Sequence, residues 1–299
     1  MMKFAMKSMG SKGFFKLFAA CALFAVAAVA PVSAQDDAEA IVRPVAAAYT
    51  VEIGSSHLVD TYLTPLKYQG ISTALSYERL QAMKFSPRTW IMQLRGRLGL
   101  NRGENPAKNA AMWDLDLELS WGMMRRFSVE SIPGLRLMAG GATGIDVGAL
   151  YLARNGNNPV SAKAAWTVGL TGAAVYNFKI RRLPVCLRYQ PTLPLTGVFF
   201  SPDYGELYYE IYLGNHSGLA HAAWWGNYFR LDNLLTADLR FGGTNLRVAY
   251  HGDILSTKVN NIVSRRFIHA LCIGVSGEWI SIGRSDRNLQ KAEIISALY

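Results

Sequence analysis

Two neighbouring side chains, His216 and Ser217, are of the types that hydrolases use as general base and nucleophile. They lie within residues 208–218, the one segment whose composition suggests catalysis. Successive residues of a β-strand point to opposite faces, so the pair would diverge unless a turn at Gly214 or Gly218 brought the two side chains together. The sequence also lacks the nucleophile-elbow motif of other hydrolases, in which a glycine lies two positions before the serine. Gly214 lies three positions before Ser217. We therefore expect no catalytic residue and keep hydrolysis as an alternative.

The residue types that bind metals, nucleotides or nucleic acids show no functional spacing. The other histidines are scattered through the chain at His57, His221, His251 and His269. Neither a paired-histidine metal motif nor a glycine-rich phosphate or dinucleotide motif is present in the sequence. Basic residues are dispersed rather than clustered, which argues against nucleic-acid binding. The sequence predicts no cofactor, no metal and no nucleic-acid partner.

Charged residues of both signs alternate with apolar ones along several segments. If these segments are strands, the charges share one face. Inside a narrow barrel they would pair across strands and give either a filled interior or a constricted channel, and both remain open. The predicted lining charges are Asp114, Asp116, Glu118, Lys163, Arg188, Arg230, Asp232, Asp238, Arg240 and Arg247, with Glu78, Arg95 and Arg97 in similar settings.

The clearest alternation lies in residues 113–123, where odd positions are large and apolar and even positions are acidic, serine or glycine. A period of two is that of a β-strand with one apolar and one polar face. Trp113 and Trp121 share the apolar face about 26 Å apart, at about 3.3 Å per residue. At a tilt of about 40° this projects to roughly 20 Å, close to the ~25 Å apolar band of outer-membrane barrels. The spacing predicts a membrane-spanning strand.

Similar alternation recurs in about eleven segments, including residues 160–171, 229–241 and 267–279. Bacterial barrels have an even number of strands, so we predict an all-β, antiparallel transmembrane β-barrel of about 12 strands, within a range of about 10 to 14. A secreted β-sandwich binding protein, which also has alternating strands, is the alternative architecture. The predicted aromatic girdle consists of Trp113, Trp121, Trp166, Phe229, Phe241 and Trp279.

The composition supports an exported membrane protein. The 299 residues are 51% hydrophobic and 17% charged, against about 25% charged for an ordinary soluble domain, which argues against a cytosolic enzyme. Beyond residue 34 the sequence has no apolar run of about 18 residues or more, the length that a membrane-spanning helix needs. In that part of the chain the cysteines are Cys186 and Cys272, too few for a disulfide scaffold.

The N-terminus has the three regions of a secretory signal peptide. A lysine-rich start precedes an apolar run over residues 17–30, and residues 32–34 (VSA) form a small-residue cleavage site. Removing residues 1–34 would take away four lysines and lower the formal net charge from +10 to +6. The predicted organisation is a signal peptide over 1–34, an outer-membrane barrel over 35–282, and a C-terminal tail or closing strand over 283–299. The predicted location is the outer membrane of a Gram-negative cell.

Three segments carry a family resemblance: residues 58–70 (LVDTYLTPLKYQG), 214–218 (GNHSG) and 232–238 (DNLLTAD). They resemble an uncharacterised family of exported outer-membrane β-barrel proteins from Bacteroidetes. The resemblance implies a compartment and no reaction. Its first segment interrupts the alternation and contains Pro65, so we expect an ordered loop or plug between the first two strands.

The sequence thus predicts either a narrow, porin-like channel or a structural or docking barrel without catalysis. Expected partners are outer-membrane lipid, lipopolysaccharide and the barrel-assembly machinery, with the envelope protein or solute left open. The catalytic alternative is a lipid hydrolase using His216 and Ser217, since the two residue types resemble the catalytic pair of outer-membrane phospholipases and lipid A deacylases. In those enzymes the histidine and serine are two positions apart and share a strand face, which adjacent residues do not.

Overall fold

The computed structural model describes residues 41–156, 158–242, 244–280 and 293–298. The predicted signal peptide over 1–34 lies outside these residues. Ten antiparallel strands form a barrel whose hydrogen-bonded order runs β10-β11-β12-β2-β3-β4-β5-β6-β7-β8 and closes by pairing of β8 with β10. The barrel strands are β2 (Val45–Asp60), β3 (Thr64–Ala82), β4 (Trp90–Glu104), β5 (Ala111–Ser128), β6 (Leu135–Leu152), β7 (Val160–Ile180), β8 (Leu183–Phe200), β10 (Tyr228–Phe241), β11 (Thr244–Val259) and β12 (Ile262–Trp279).

The strand number lies at the lower limit of the predicted range. An estimate of about 12 strands assumed that each spans about 9 to 11 residues. The barrel strands are instead 14 to 21 residues long, so fewer of them use up the chain. A closed antiparallel barrel is confirmed. The alternative of two packed sheets in a sandwich is wrong, because the long strands of the described residues all belong to one closed ladder, and the other sheet among them has two strands of two residues each.

Alternation along each strand separates an apolar exterior from a polar interior. On β5, Leu115 and Leu117 are 53% and 44% exposed, whereas Asp114 and Asp116 between them are 3% and 1% exposed. In a soluble sheet these leucines would form the core. Here the apolar face points outward, as in barrels surrounded by lipid.

Connections define two ends, which we call the terminal end and the loop end. The terminal end holds the start of β2 and the end of β12. At the loop end, residues 201–227 connect β8 to β10 and contain the helix α1 (Tyr208–Tyr212) and the short strand β9 (Ala220–Ala223), which pairs with β8. We call residues 201–227 the long loop.

Apolar side chains fill the barrel at both ends. At the terminal end, β1 (Ile41–Val42) pairs in parallel with β13 (Glu293–Ile294). The chain then continues inward, so that Ala297 and Leu298 are 0% and 4% exposed in a cluster with side chains of the barrel wall, among them Leu80, Met124 and Met138. At the loop end a second cluster comprises Leu58, Leu63, Tyr68, Met112, Leu150 and Leu152.

The first and last barrel strands are neighbours, since residues 264–279 of β12 pair with residues 45–60 of β2. The described part of the C-terminal region, residues 293–298, contributes no strand to the barrel wall. Its last four residues are buried. Residues 293–298 thus pack onto the terminal end, while the remainder of the predicted C-terminal region, residues 283–292 and 299, lies outside the described residues.

The expected loop around Pro65 is wrong. Residues 61–63 form a tight turn in which the Leu63 amide donates to the Asp60 carbonyl at 3.1 Å, and β3 begins at Thr64. Pro65 therefore lies at the start of a strand, a position where a proline without an N–H is tolerated. Leu63 nevertheless fills the loop end, so the filling expected of a plug comes from side chains of a turn.

No helix among the described residues has the length and apolar character needed to cross a membrane.

Candidate functional site

The interior is lined by charged side chains contributed by all ten barrel strands. The predicted lining residues lie on inward-facing positions: Asp114, Asp116, Arg188, Asp238 and Arg247 are buried, while Glu118, Lys163, Arg230, Asp232 and Arg240 are partly buried. Unpaired charges in such an interior would be strongly destabilising. The pairing of these residues therefore decides what the interior can do.

A central cluster is built around two arginines on opposite sides of the β11 strand. Arg230 contacts Glu118 at 2.6 Å, Asp146 at 3.0 Å and Asp253 at 2.8 Å. Arg266 contacts the same three carboxylates at 2.6, 3.3 and 3.1 Å. Strands β5, β6, β10, β11 and β12 are thereby tied together across the lumen.

A second cluster lies nearer the terminal end. Glu78 accepts from Arg188 and Arg247, each at 2.5 Å, and Arg247 also binds Asp238 through both carboxylate oxygens at 2.7 Å. Four strands meet at these residues. The bidentate geometry makes the Arg247–Asp238 pair the more directional of these contacts.

Between the two clusters, His251 lies between two carboxylates. Its Nδ1 is 3.0 Å from Glu52 and its Nε2 is 3.1 Å from Asp232. Both ring nitrogens can donate at once only in the imidazolium form, which this arrangement therefore favours. Arg97 binds Glu52 at 3.0 Å, and Arg95 binds Asp232 at 2.7 Å, so the histidine is part of the same ion-pair network.

Several network residues were not predicted. A sequence signal could have found them, because each lies on the same strand face as a predicted lining residue or a small inward-facing residue. Asp253, for example, shares its face of β11 with Arg247. Glu52, Asp146 and Arg266 each lie between uncharged inward neighbours, which hid the pattern on their strands. The network residues that were not predicted are Glu52, Asp60, Asp146, His251, Asp253 and Arg266.

Small cavities lie inside the barrel, and two of them are lined by network residues. One, of about 80 Å³, lies beside Arg95, Arg230 and Asp232, and the other, of about 50 Å³, lies beside Asp114 and Lys163 nearer the loop end. Each is large enough for a few water molecules. Neither size matches the wide aqueous lumen of a porin.

The predicted girdle residues lie on the outward-facing positions of their strands. Exposed fractions are 40% for Trp113, 43% for Trp121, 36% for Phe229, 60% for Phe241 and 52% for Trp279. Trp166 is half-buried on the outward face of β7.

His216 and Ser217 lie in the long loop, outside the barrel wall. Both are exposed, and they are flanked by Gly214 and Gly218, whose φ angles are +109° and +72°. Within the described residues neither side chain forms a hydrogen bond or an ion pair. The turn that could have brought the two together is present, but the structure builds no base–nucleophile pair from it.

The long loop is tied over the loop end by Tyr62. Its hydroxyl donates to the Glu206 carbonyl at 2.6 Å and accepts from the Asn158 side chain at 2.5 Å. Tyr62 also packs edge-on against Tyr208 at 5.8 Å between ring centroids, and the Tyr208 hydroxyl accepts from the Ala162 amide at 2.6 Å. Burial raises the pKa of Tyr62 to about 12, which keeps the phenol neutral and able to donate.

Tyr62→Phe is expected to loosen the long loop while leaving the barrel folded. The variant removes two partly buried hydrogen bonds made by the hydroxyl, at a cost of about 1–3 kcal/mol. Limited proteolysis should show faster cleavage within residues 201–227. Tyr204→Phe is the matched control, because Tyr204 lies in the same loop with 66% of its surface exposed. Equal cleavage of the two variants would contradict the tether.

The described part of the chain contains neither a metal-binding group nor a disulfide bond. It contains no group of three or more histidine, cysteine, aspartate or glutamate side chains placed to hold a metal ion. Cys186 and Cys272 are both buried as free thiols.

Comparison with protein families gives one match: the model of a family described as "Protein of unknown function (DUF3316)" matches residues 16–286. None of the curated proteins matches the chain.

Solved structures with similar folds include three outer-membrane proteins. The translocator domain of the autotransporter NalP from Neisseria meningitidis is 12% identical, with 90% of this chain and 98% of that chain covered and a TM-score of 0.37. For the outer membrane protease OmpT from Escherichia coli the identity is 7%, the coverage 83% and 99%, and the TM-score 0.42. An outer membrane channel from Pseudomonas putida F1 is 10% identical, with coverage of 83% and 100% and a TM-score of 0.36. The fold is established by the strand pairing, and these low similarities add nothing to it.

Proposed function

Since the chain belongs to the family described as "Protein of unknown function (DUF3316)", we propose its role from its own geometry: a closed, non-conducting barrel of the outer membrane with a structural or docking role. The expectation of a family without an assigned activity is confirmed, and an origin in Bacteroidetes stays a prediction. The observation that carries the proposal is a charged interior paired across the lumen and covered by apolar clusters at both ends.

The apolar exterior supports the placement in a membrane. Outward side chains such as Leu75 on β3, Leu115 on β5, Leu170 on β7 and Ile273 on β12 are between 53% and 60% exposed. Exposed apolar surface on all sides is a liability in water and is matched by lipid. Closed barrels satisfy their backbone hydrogen bonds internally, which makes them suitable for spanning a bilayer. Export by the predicted signal peptide and insertion by the barrel-assembly machinery would bring the protein there, in contact with lipid and lipopolysaccharide.

The interior favours the structural barrel over the channel. A conducting path needs a continuous opening between the ends, lined by groups that an ion can bind and leave. Here the central arginines each hold three or more carboxylates, and Leu298 at one end and Leu63 at the other are 4% and 7% exposed. The two cavities lined by network residues are the size of small water clusters.

We further propose that the protein is not an enzyme. His216 and Ser217 are both exposed and lack a shared hydrogen bond, so the acid–base step of a lipid hydrolase has no assembled machinery there. The long loop offers a docking surface instead, since α1 exposes Tyr209 and Tyr212 at 65% and 84%. The partner that this surface would meet is an envelope protein.

The test combines location with conductance. We expect the mature protein in the outer-membrane fraction, with a gel mobility that shifts only on boiling, because closed barrels resist unfolding in detergent. In planar bilayers the same preparation is expected to show no discrete conductance steps over a range of salt concentrations.

Each half of the test contradicts a different part of the proposal. Recovery as a soluble protein without a mobility shift would refute the membrane placement. Reproducible single-channel steps from a heat-shifting preparation would refute the closed interior and restore the channel.

A further inference from the structure

The barrel wall has an interruption between β8 and its neighbour on the loop-end side. Residues 185–192 of β8 pair with β10, and residues 197–200 pair with β9. Between them, residues 193–196 have no ladder partner in β9 or β10, although this part of the chain is fully described. On the other side of the interruption, residues 224–231 have no partner in β8, and pairing with β8 resumes at Asp232. β9 and β10 thus form one interrupted strand with a wide bulge, which leaves a seam in the wall.

A side chain rather than the backbone ladder spans this seam. The Trp225 indole N–H donates to the Pro194 carbonyl at 2.8 Å. Pro194 itself has no N–H to offer to a ladder. Trp224 and Trp225 are 62% and 54% exposed. Tryptophan is enriched at the interface between membrane and water, so the two exposed indoles favour a position of the seam at the level of lipid headgroups.

The larger interior cavity lies directly behind the seam. Thr192, Pro194, Tyr228, Arg230 and Asp232, which flank the seam, also line this cavity of about 80 Å³. Its lining further includes the small inward-facing residues Gly122, Ala142, Gly144 and Gly169 of β5 to β7. The absence of large side chains from those positions creates the space. A path from the lipid side through the seam would end in a polar chamber.

The lining does not favour an ion. Its guanidinium groups, from Arg95, Arg97 and Arg230, are matched in number by the carboxylates of Glu118, Asp146 and Asp232. Arg97 is 4% exposed, and its Nη2 has no hydrogen-bond partner within the described residues. A buried donor without a partner calls for an acceptor. An uncharged head bearing hydroxyl or ester oxygens would supply one without disturbing the charge balance.

We propose that the seam between β8 and the β9–β10 strand is a lateral portal through which the uncharged, oxygen-bearing head of a single-chain amphiphile passes from the lipid phase into the cavity beside Arg97. The acyl chain stays outside, against the apolar wall and the exposed Trp224 and Trp225. This inference rests on the proposed membrane placement and is compatible with a non-conducting barrel, because the path leads sideways and not end to end.

Saturable binding of a radiolabelled monoacylglycerol to the full-length mature protein in phosphatidylcholine nanodiscs tests the proposal. Gly144→Leu places a side chain in the cavity, since a Cβ there meets nothing closer than the Leu119 carbonyl at 3.6 Å. Gly141→Leu is the matched control on the same strand, pointing outward, with its nearest contact also at 3.6 Å. We expect one saturable site in the wild type, a loss of affinity of about tenfold or more in Gly144→Leu, and little change in Gly141→Leu.

Competition separates the head groups. Oleate, whose carboxylate is charged, is expected to compete at least about tenfold more weakly than unlabelled monoacylglycerol. Wild-type protein without saturable binding, equal affinity of the two glycine variants, or oleate competing as well as monoacylglycerol would each overturn the proposal. Every sample is first checked for the mobility shift on boiling, so a failure of the barrel to fold and insert is distinguished from a failure of the portal.

Discussion

Replacing Arg266 by methionine is expected to lower the free energy of unfolding by about 3–5 kcal/mol, the cost of breaking a buried ion pair from one side. Arg266 lies 3.2 Å from Asp116, 2.6 Å from Glu118, 3.3 Å from Asp146 and 3.1 Å from Asp253. Methionine would leave these four carboxylates with Arg97 and Arg230 as their remaining arginine partners, so negative charge would exceed positive charge in the central cluster. The loss is measured as a shift in the denaturant midpoint of unfolding. At each denaturant concentration, the folded fraction is the fraction of unboiled protein that keeps the gel mobility of the folded barrel.

The neighbouring residue supplies the control. Arg265 directly precedes Arg266 in β12, and its side chain is exposed on the outward face. Arg265→Met therefore removes an identical charge without touching the network. Its expected effect is within about 0.5 kcal/mol. A second variant, Arg266→Met with Asp146→Asn, should recover part of the loss because it removes one of the stranded charges. Equal midpoints for Arg265→Met and Arg266→Met would contradict a stabilising role of the network.

Deleting residues 293–299 is expected to make Cys186 reactive while Cys272 stays protected. Cys186 is 1% exposed in the terminal-end cluster that Ala297 and Leu298 cover. The tail is held there by Asn177, which donates to the Leu298 carbonyl at 2.9 Å, and by Arg126, which donates to the Ser296 carbonyl at 2.8 Å. Without these residues a water-filled opening replaces the apolar cover, and a maleimide reagent can reach the thiol.

The measurement is the rate at which folded protein gains maleimide mass, assigned to each cysteine by peptide analysis. We expect the Cys186 rate to rise by about tenfold or more, since reactivity follows exposure of the thiol. Cys272 belongs to a separate buried cluster with Leu234 and Ala249 and serves as the internal control. An unchanged Cys186 rate would show that the tail does not close this end, and a parallel rise at Cys272 would indicate general unfolding.

Much of the interior was predictable because face selection is a local property. Asp114, Asp116 and Glu118 lie at alternate positions of one strand, and the period of two places them together whatever the rest of the chain does. The same reasoning applies to Arg230 and Asp232. Arg266 escaped prediction because its inward neighbours Ile268, Ala270 and Cys272 are not polar, so its strand showed no charged face. Asp146, likewise, lies between glycines at inward positions on β6.

Partners across the lumen could not be predicted in this way. Arg97 and Glu52 are 45 positions apart, and Arg247 and Glu78 are 169 positions apart. Their contacts depend on the number of strands, the stagger between them and the closing of β8 onto β10. Strand alternation fixes none of these quantities, which is why the predicted strand number was about 12 and the observed one is ten.

The order of residues is sufficient to predict strands with an apolar and a polar face, and which side chains of each strand share a face, because the backbone geometry of a strand imposes that period locally. The pairing of the charges, the covering of the two ends by Leu63 and Leu298, and the contact of Trp225 with Pro194 across a seam depend on the three-dimensional fold. Those features arise when distant segments are brought together by closure of the ladder, and closure is a property of the whole chain.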